Sequence, residues 1–135
     1  MPEFTKANVI TDPAARERWK MAGDHGDRCQ VCHAPWNRSG WRGLAVHHII
    51  RGSNGRDDEP CNFLLLCADH HDACHDGQVR IADGKLWPAI TLAMVLWVKS
   101  QTEEWNPERL EELYHRRLPD LEPLHPDYLR EQSRW

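Results

Sequence analysis

Five of the nine histidines in this chain fall into two short clusters. His47 and His48 are adjacent, and His70, His71 and His75 follow about 20 residues later. On a helix, residues four apart share one face, so His71 and His75 can bind one metal ion together. On a strand, adjacent side chains point to opposite faces, so one histidine of the first pair can reach that metal while the other reaches a substrate. The spacing therefore predicts a divalent-metal site with a further imidazole beside it.

A second set of metal-ligating residues interleaves with the first. Two residues separate Cys29 from Cys32, and two separate Cys67 from His70. Structural zinc takes four thiolate or imidazole ligands in a tetrahedron, often supplied as two such pairs. We therefore predict one structural Zn²⁺ at Cys29, Cys32, Cys67 and His70. Cys74 lies one helical turn beyond His70 and is the alternative fourth ligand.

The composition fits one domain in a reducing compartment. The 135 residues are enough for a single compact domain. The five cysteines leave at least one unpaired in any disulfide scheme, which favours metal binding. No apolar run approaches the roughly 20 residues that cross a bilayer, and the N-terminal residues do not follow the pattern of a signal peptide. We expect a cytoplasmic protein that does not associate with membranes.

The net charge of −4 speaks by itself against a nucleic-acid partner, but the charges are unevenly distributed. Residues 28–56 contain five arginines and no acidic residue, whereas the excess acid lies mostly in the C-terminal third. A basic loop beside the histidines can hold phosphate while the far face stays acidic. Arg51 and Arg56 are the candidates for phosphate contacts. The alternative is that they are solvated loop arginines.

The elements that must position these residues are predicted from local patterns. Residues 44–50 favour a strand, 51–60 form a glycine-rich charged loop, 63–66 form a short buried strand, and 69–76 form a helix that Gly77 ends. Flanking elements are predicted as an N-terminal helix at about 12–22, a hairpin around Asp83-Gly84, helices at 89–101 and 107–117, and an extended tail. The fold class predicted is α+β: a strand–strand–helix core at about 29–77 with a zinc knuckle, and a C-terminal helical extension at about 87–135.

The chain resembles the HNH endonuclease family. The residues that carry the resemblance are the His47-His48 start, Asn62 in the middle, and His71-x-x-x-His75 at the end. The resemblance implies a ββα-metal core within a single nuclease domain. It implies that His47, His71 and His75 bind a catalytic Mg²⁺, Mn²⁺ or Ni²⁺, that His48 is the general base, and that Asn62 braces the loop.

One departure from the family concerns the zinc set, because His70 stands where many zinc-containing members have a second cysteine.

The activity that the resemblance implies is hydrolysis of DNA phosphodiester bonds, by nicking or by double-strand cutting. Neutral His48 can take a proton from water at physiological pH. In size the chain resembles family members that are encoded by phages beside DNA-packaging genes, by homing elements and by restriction systems. Of these contexts we favour phage packaging. The expected partners are therefore DNA and a phage packaging protein such as the terminase, inside a bacterial host, with monomer and dimer both open.

Two other functional classes compete with the nuclease. A non-catalytic zinc module that binds DNA or protein would account for the cysteines and His70 but would leave the other four clustered histidines without a role. A metalloprotease would require the H-E-x-x-H signature, in which glutamate is the base. Here Asp72 follows His71, so the protease lacks its base.

Overall fold

The computed structural model describes residues 9–22, 28–33, 44–52, 55–76, 79–80 and 86–132. Over these residues the protein is a mixture of helices and short antiparallel strand pairs, which confirms the predicted α+β class. The helices are α1 (Pro13–Ala22), α2 (Ala68–Asp76), α3 (Leu92–Lys99), α4 (Pro107–Tyr114) and α5 (Pro126–Gln132). The strands are β1 (Ala45–His48), β2 (Arg51–Gly52), β3 (Gly55–Arg56), β4 (Phe63–Leu66), β5 (Val79–Arg80) and β6 (Leu86–Trp87).

Each strand pairs with one partner: β1 with β4, β2 with β3, and β5 with β6. In the β1–β4 ladder His47 lies opposite Leu64, and His48 lies opposite Phe63. A short 3-10 helix (Pro60–Asn62) leads into β4, and α2 follows β4 after one residue. Both histidine clusters thus lie on adjacent parts of one strand–strand–helix unit.

Strand β4 is buried along its whole length because it is covered on both faces. Phe63 and Leu65 pack with Trp19 of α1, and the Phe63 and Trp19 rings lie 5.3 Å apart. Leu64 and Leu66 point the other way, as alternation along a strand requires, into the main core. The other members of that core include Val31, Ile49, Ala73, Val95, Leu96, Leu110, Leu113, Leu124 and Tyr128.

Two of the predicted helices, α3 and α4, begin at capping residues. Thr91 accepts a hydrogen bond from the Met94 backbone N–H at the start of α3. At the start of α4 the Asn106 side chain accepts a hydrogen bond from the Arg109 backbone N–H. Helix α4 ends at Tyr114, three residues before its predicted end, because His115 takes a left-handed conformation with φ of 60°.

The prediction of an extended tail was wrong for residues 126–132, which form α5, whereas residues 118–125 have no regular secondary structure. Proline at the first helical position and Asp127 in the first turn both favour a helix start. Tyr128 and Glu131 are one turn apart and both buried, so the helix is held by docking onto the core. The Gly77 stop, the Asp83-Gly84 turn, Arg38 and Arg42 lie outside the described residues.

A buried lysine joins α3 to the start of β4. The Lys99 ammonium group donates to the backbone carbonyls of Pro60 (2.8 Å) and Phe63 (2.9 Å) and to Oε1 of Glu104 (2.9 Å). Its side chain is fully buried, and its hydrogen bond to the Phe63 carbonyl is buried as well, so water does not readily replace that bond. Lys99 therefore fixes the strand that lies opposite His47 and His48.

We expect Lys99→Met to lower the free energy of unfolding by about 3 kcal/mol, because it removes the donor of the buried Phe63 carbonyl and the hydrogen bonds to Pro60 and Glu104. The measurement is urea unfolding of the zinc-loaded protein. Lys20→Met, at a partly exposed position of α1, is the matched control and should change stability by less than about 0.5 kcal/mol. Equal effects of the two substitutions would contradict the role given to Lys99.

Within the described part of the chain, every helix is too short or too polar to span a lipid bilayer.

Candidate metal centres and active site

The four residues predicted to bind zinc come together in the core. Cys29, Cys32, Cys67 and His70 are all buried, and their ligand atoms all lie within 4.8 Å of one another. Nδ1 of His70 is 2.9 Å from Sγ of Cys67 and 3.7 Å from Sγ of Cys29. Zinc–sulfur and zinc–nitrogen bond lengths place tetrahedral ligand atoms about 3.5–4 Å apart. This group could therefore hold a metal ion such as zinc, and Cys74 is not part of it.

The first cysteine pair lies on a tight turn that is fastened to β4. The His33 backbone N–H donates to the Cys29 carbonyl (2.7 Å), and His33 closes the turn with φ of 64°. Gln30 pairs with Leu65 in both directions, through its backbone N–H (2.8 Å) and through its side-chain oxygen (2.8 Å). The second pair begins α2, directly after β4. Strand β4 thus brings the two halves of the site together.

The charge balance of this cluster favours a thiolate beside a histidine. Burial opposes ionisation of Cys29, but hydrogen bonds from Cys32, Cys67 and His70 outweigh it and hold the pKa of Cys29 well below its usual value. Burial also disfavours protonated His70, but the thiols and Glu131 raise the pKa of His70 well above its usual value. Thiolate is the form of cysteine that binds metal, and Cys29 is the residue on which it is favoured, since Cys29 and Cys67 raise the pKa of Cys32.

The three histidines of the other set also converge. His47 comes from β1, and His71 and His75 come from α2, with their ligand atoms all within 4.8 Å of one another. Nε2 of His71 and Nε2 of His75 are 3.0 Å apart. The His47 ring lies 5.2 Å from that of His71 and 5.1 Å from that of His75. Exposure rises from buried His47 through half-buried His71 to exposed His75, so the group opens to solvent on one side.

Two properties of the His47 side chain suit a metal ligand: an unpaired buried nitrogen and a low pKa. Its Nδ1 is buried and has no hydrogen-bond partner in the part of the chain that the structure describes. Burial, with the proximity of His71 and His75, lowers the pKa of His47 to about 3. Burial and His75 lower the pKa of His71 as well. Neutral imidazole is the form that binds metal, and a cation would satisfy the unpaired nitrogen.

His48 points away from this group, towards a buried carboxylate. Its Nε2 is 2.8 Å from Oδ1 of Asp58, and its ring meets Phe63 edge-on at 5.5 Å. Asp58 also accepts from the Asp12 backbone N–H (2.7 Å) and from Nε of Arg16 (3.0 Å). Burial opposes ionisation of Asp58, but these bonds outweigh it and lower its pKa. An ionised Asp58 accepts only, so Nε2 of His48 carries the proton and Nδ1 is left without one.

The protonation state of His48 suits a base. Burial lowers the pKa of His48, and this exceeds the opposing effect of Asp58. His48 is therefore neutral at physiological pH, with one nitrogen able to accept a proton.

Asn62 joins the two ends of the segment between β1 and β4. Its side-chain oxygen accepts from the Ile50 N–H (2.8 Å), and its amide group donates to the carbonyls of Ile50 (3.2 Å) and Asp57 (3.0 Å). Its backbone carbonyl accepts from the Ile49 N–H (2.9 Å). These are the bonds that a bracing residue needs, and they fix the backbone directly after His48.

The acidic end of this segment is held by the flanking helices. Arg16 of α1 binds Asp58, and Arg109 of α4 binds Asp57 (3.2 Å) and Glu59 (2.8 Å). Burial and Glu59 raise the pKa of Asp57 to about 6, against the opposing effect of Arg109. The helices outside the strand–strand–helix unit thus position the residue that pairs with His48.

Arg51 and Arg56 lie opposite each other in the β2–β3 pair, and both are exposed. With His48, His71 and His75 they line a pocket of about 260 Å³. Nη1 of Arg51 is 2.9 Å from Nδ1 of His75. Two permanent positive charges therefore flank the histidines at a solvent-accessible surface, as phosphate contacts would need.

Asp58 and Glu131 were not predicted from the sequence, but each contacts a histidine that was predicted to lie in a site. Asp58 pairs with His48, and its place in an acidic triplet that ends a basic stretch was a usable signal. Glu131 accepts from His70, and no local pattern points to it, since its segment was predicted to be extended.

Comparison with known proteins adds no relative: no family model, curated protein or solved structure matches this chain.

Proposed function

We propose that the protein is a metal-dependent endonuclease of the HNH type, with β1, β4 and α2 as its ββα core and DNA as its substrate. One observation carries this proposal. Three imidazoles converge on one side of β1, and two of them, His71 and His75, line a pocket together with His48, Arg51 and Arg56. A zinc-stabilised module that binds DNA would use the two arginines but none of the four histidines, whereas phosphodiester hydrolysis uses all of these residues.

The two ligand sets differ in the way that structural and catalytic sites differ. The cysteine-containing set offers four ligands and is fully buried, which suits a structural ion. The histidine set offers three and reaches solvent at His75, which suits a catalytic ion with open positions. A divalent ion held by His47, His71 and His75 would supply positive charge to the non-bridging and leaving oxygens of the phosphodiester.

His48 is the general base in this proposal. Asp58 holds its Nε2–H, so Nδ1 accepts the proton from the attacking water. The imidazolium that forms is stabilised by the negative charge of Asp58. In other hydrolases, too, a buried carboxylate orients the catalytic histidine and stabilises its protonated form.

Arg51 and Arg56 contact the phosphates that flank the scissile bond. Arginine can only donate, so Nδ1 of His75 accepts from Arg51. If His75 held a metal ion through Nε2, its neutral ring would carry the proton on Nδ1 and could not accept from Arg51. Arg51 would then be available to a phosphate of the DNA.

The test is conversion of supercoiled plasmid by the purified protein in Mg²⁺, Mn²⁺ or Ni²⁺, with EDTA as the metal-free condition. We expect open-circular or linear product, no product in EDTA, and a rate at least about 100-fold lower for His75→Ala, which removes one of three metal ligands. His125→Ala is the matched control, because this half-exposed histidine lies outside both ligand sets, and it should cut at the wild-type rate.

The opposite result is equally informative. If the zinc-loaded, folded protein cuts plasmid with none of these ions, the nuclease proposal fails. A non-catalytic zinc-stabilised module that binds DNA or protein then becomes the better description.

A further inference from the structure

Helix α5 covers the cysteine–histidine cluster with two buried side chains. The Tyr128 ring meets the His70 ring edge-on, with centroids 5.2 Å apart. Oε1 of Glu131 lies 3.0 Å from Nε2 of His70. Glu131 is only 2% exposed, and a glutamate is rarely so buried unless a specific partner compensates for its lost hydration. His70 is one such partner.

The two nitrogens of His70 face different groups. Nδ1 faces the sulfur atoms of Cys67 and Cys29, and Nε2 faces the Glu131 carboxylate. A histidine that donates its second N–H to a carboxylate has a fixed tautomer and ring orientation, and it is a more basic ligand. We propose that Glu131 is a positioning residue for zinc, and that α5 is consequently part of the zinc site.

The last turn of α5 also holds the other half of the site. Nε2 of Gln132 donates to the backbone carbonyl of Val31, which lies between the two cysteines of the turn (2.8 Å). Adjacent residues of α5 thus contact the cysteine turn and the histidine of α2. Zinc binding and docking of α5 must then stabilise each other by the same amount, since coupling between two equilibria is reciprocal.

The experiment measures zinc affinity by competition with a chromophoric chelator, which is independent of any nuclease activity. We expect Glu131→Ala to bind zinc about 10–100-fold more weakly than the wild type. Glu131→Gln should retain more affinity, because its amide oxygen can accept the same hydrogen bond. Tyr128→Phe is the control: it removes a different α5 contact, from the hydroxyl to the Pro88 carbonyl, and leaves the Glu131–His70 pair. Its affinity should stay near that of the wild type.

Two results would overturn the proposal. One is a Glu131→Ala protein that binds zinc as tightly as the wild type. The other is a Tyr128→Phe protein as impaired as Glu131→Ala, which would show that general docking of α5, and not the carboxylate, matters. If Glu131→Ala does not fold, Glu131→Gln replaces it, because glutamine keeps a hydrogen-bond acceptor but lacks the negative charge that makes His70 a more basic ligand. Weaker zinc binding by Glu131→Gln than by Tyr128→Phe then supports the proposal, and equal binding overturns it. A failure here leaves the nuclease proposal intact, and the reverse also holds.

Discussion

Replacing His48 by alanine is expected to slow DNA cleavage by about 10²–10⁴-fold, the usual contribution of a general base. The substitution removes the nitrogen that accepts the proton from water, while the three metal-binding histidines stay in place. The fold should tolerate it, because Asp58 keeps its bonds to Arg16 and to the Asp12 backbone. The measurement is the initial rate of supercoiled plasmid loss at a saturating concentration of the divalent ion that works best.

The comparison requires that metal content and folding are unchanged in the variant. Both proteins are purified in parallel, and zinc per chain and the urea unfolding midpoint are measured for each. Wild-type cleavage by His48→Ala would show that another group is the base or that a contaminating nuclease is present. His75→Ala separates these explanations, since a contaminant would cut equally in that preparation.

The ligand sets could be predicted because their geometry is local. His71 and His75 meet through helical spacing, and Cys67 and His70 meet through the first turn of the same helix. The alternation of a strand sends His47 to the metal-binding side and His48 to the other, which the contacts of both rings reproduce. Each of these relations depends on a few residues of regular backbone.

The partners of these residues could not be predicted because they come from distant elements. Glu131 is 61 residues from His70 in the sequence, and Arg16 is 42 from Asp58. Helix α5 has seven residues, too few to be stable alone, so its conformation depends on burying Tyr128 and Glu131. The local pattern of the tail therefore predicts an extended chain, and it does not indicate that the Glu131 carboxylate lies beside His70.

The flanking helices have a common physical role, which is to supply charges that the short core cannot provide. Arg16 of α1 and Arg109 of α4 hold the acidic residues 57–59, and Glu131 of α5 holds His70. The strand–strand–helix unit supplies the histidines that could hold a metal ion and His48, the proposed base. The helices around it fix the orientation of those side chains.

Replacing both Cys29 and Cys32 by serine is expected to unfold the domain. The two cysteines are fully buried in the main core, so their loss removes half of the zinc ligands from its centre. Structural zinc contributes about 10–16 kcal/mol in small domains, which is of the same size as the roughly 5–15 kcal/mol that separates a typical domain from its unfolded state. The serine hydroxyl does not replace a thiolate as a ligand, because zinc selects sulfur and nitrogen.

The measurement is amide dispersion in ¹H–¹⁵N spectra together with zinc per chain. The wild type should hold one tightly bound zinc, and a strong chelator should collapse its spectrum as the double substitution does. Cys61→Ser is the matched control, since this half-buried cysteine lies outside the cluster and its removal should leave zinc and fold unchanged. A zinc-free double variant with a dispersed spectrum and cooperative unfolding would mean that the apolar core around Leu64, Leu96 and Tyr128 is sufficient for folding. The buried cysteine–histidine cluster would then need a purpose other than stability.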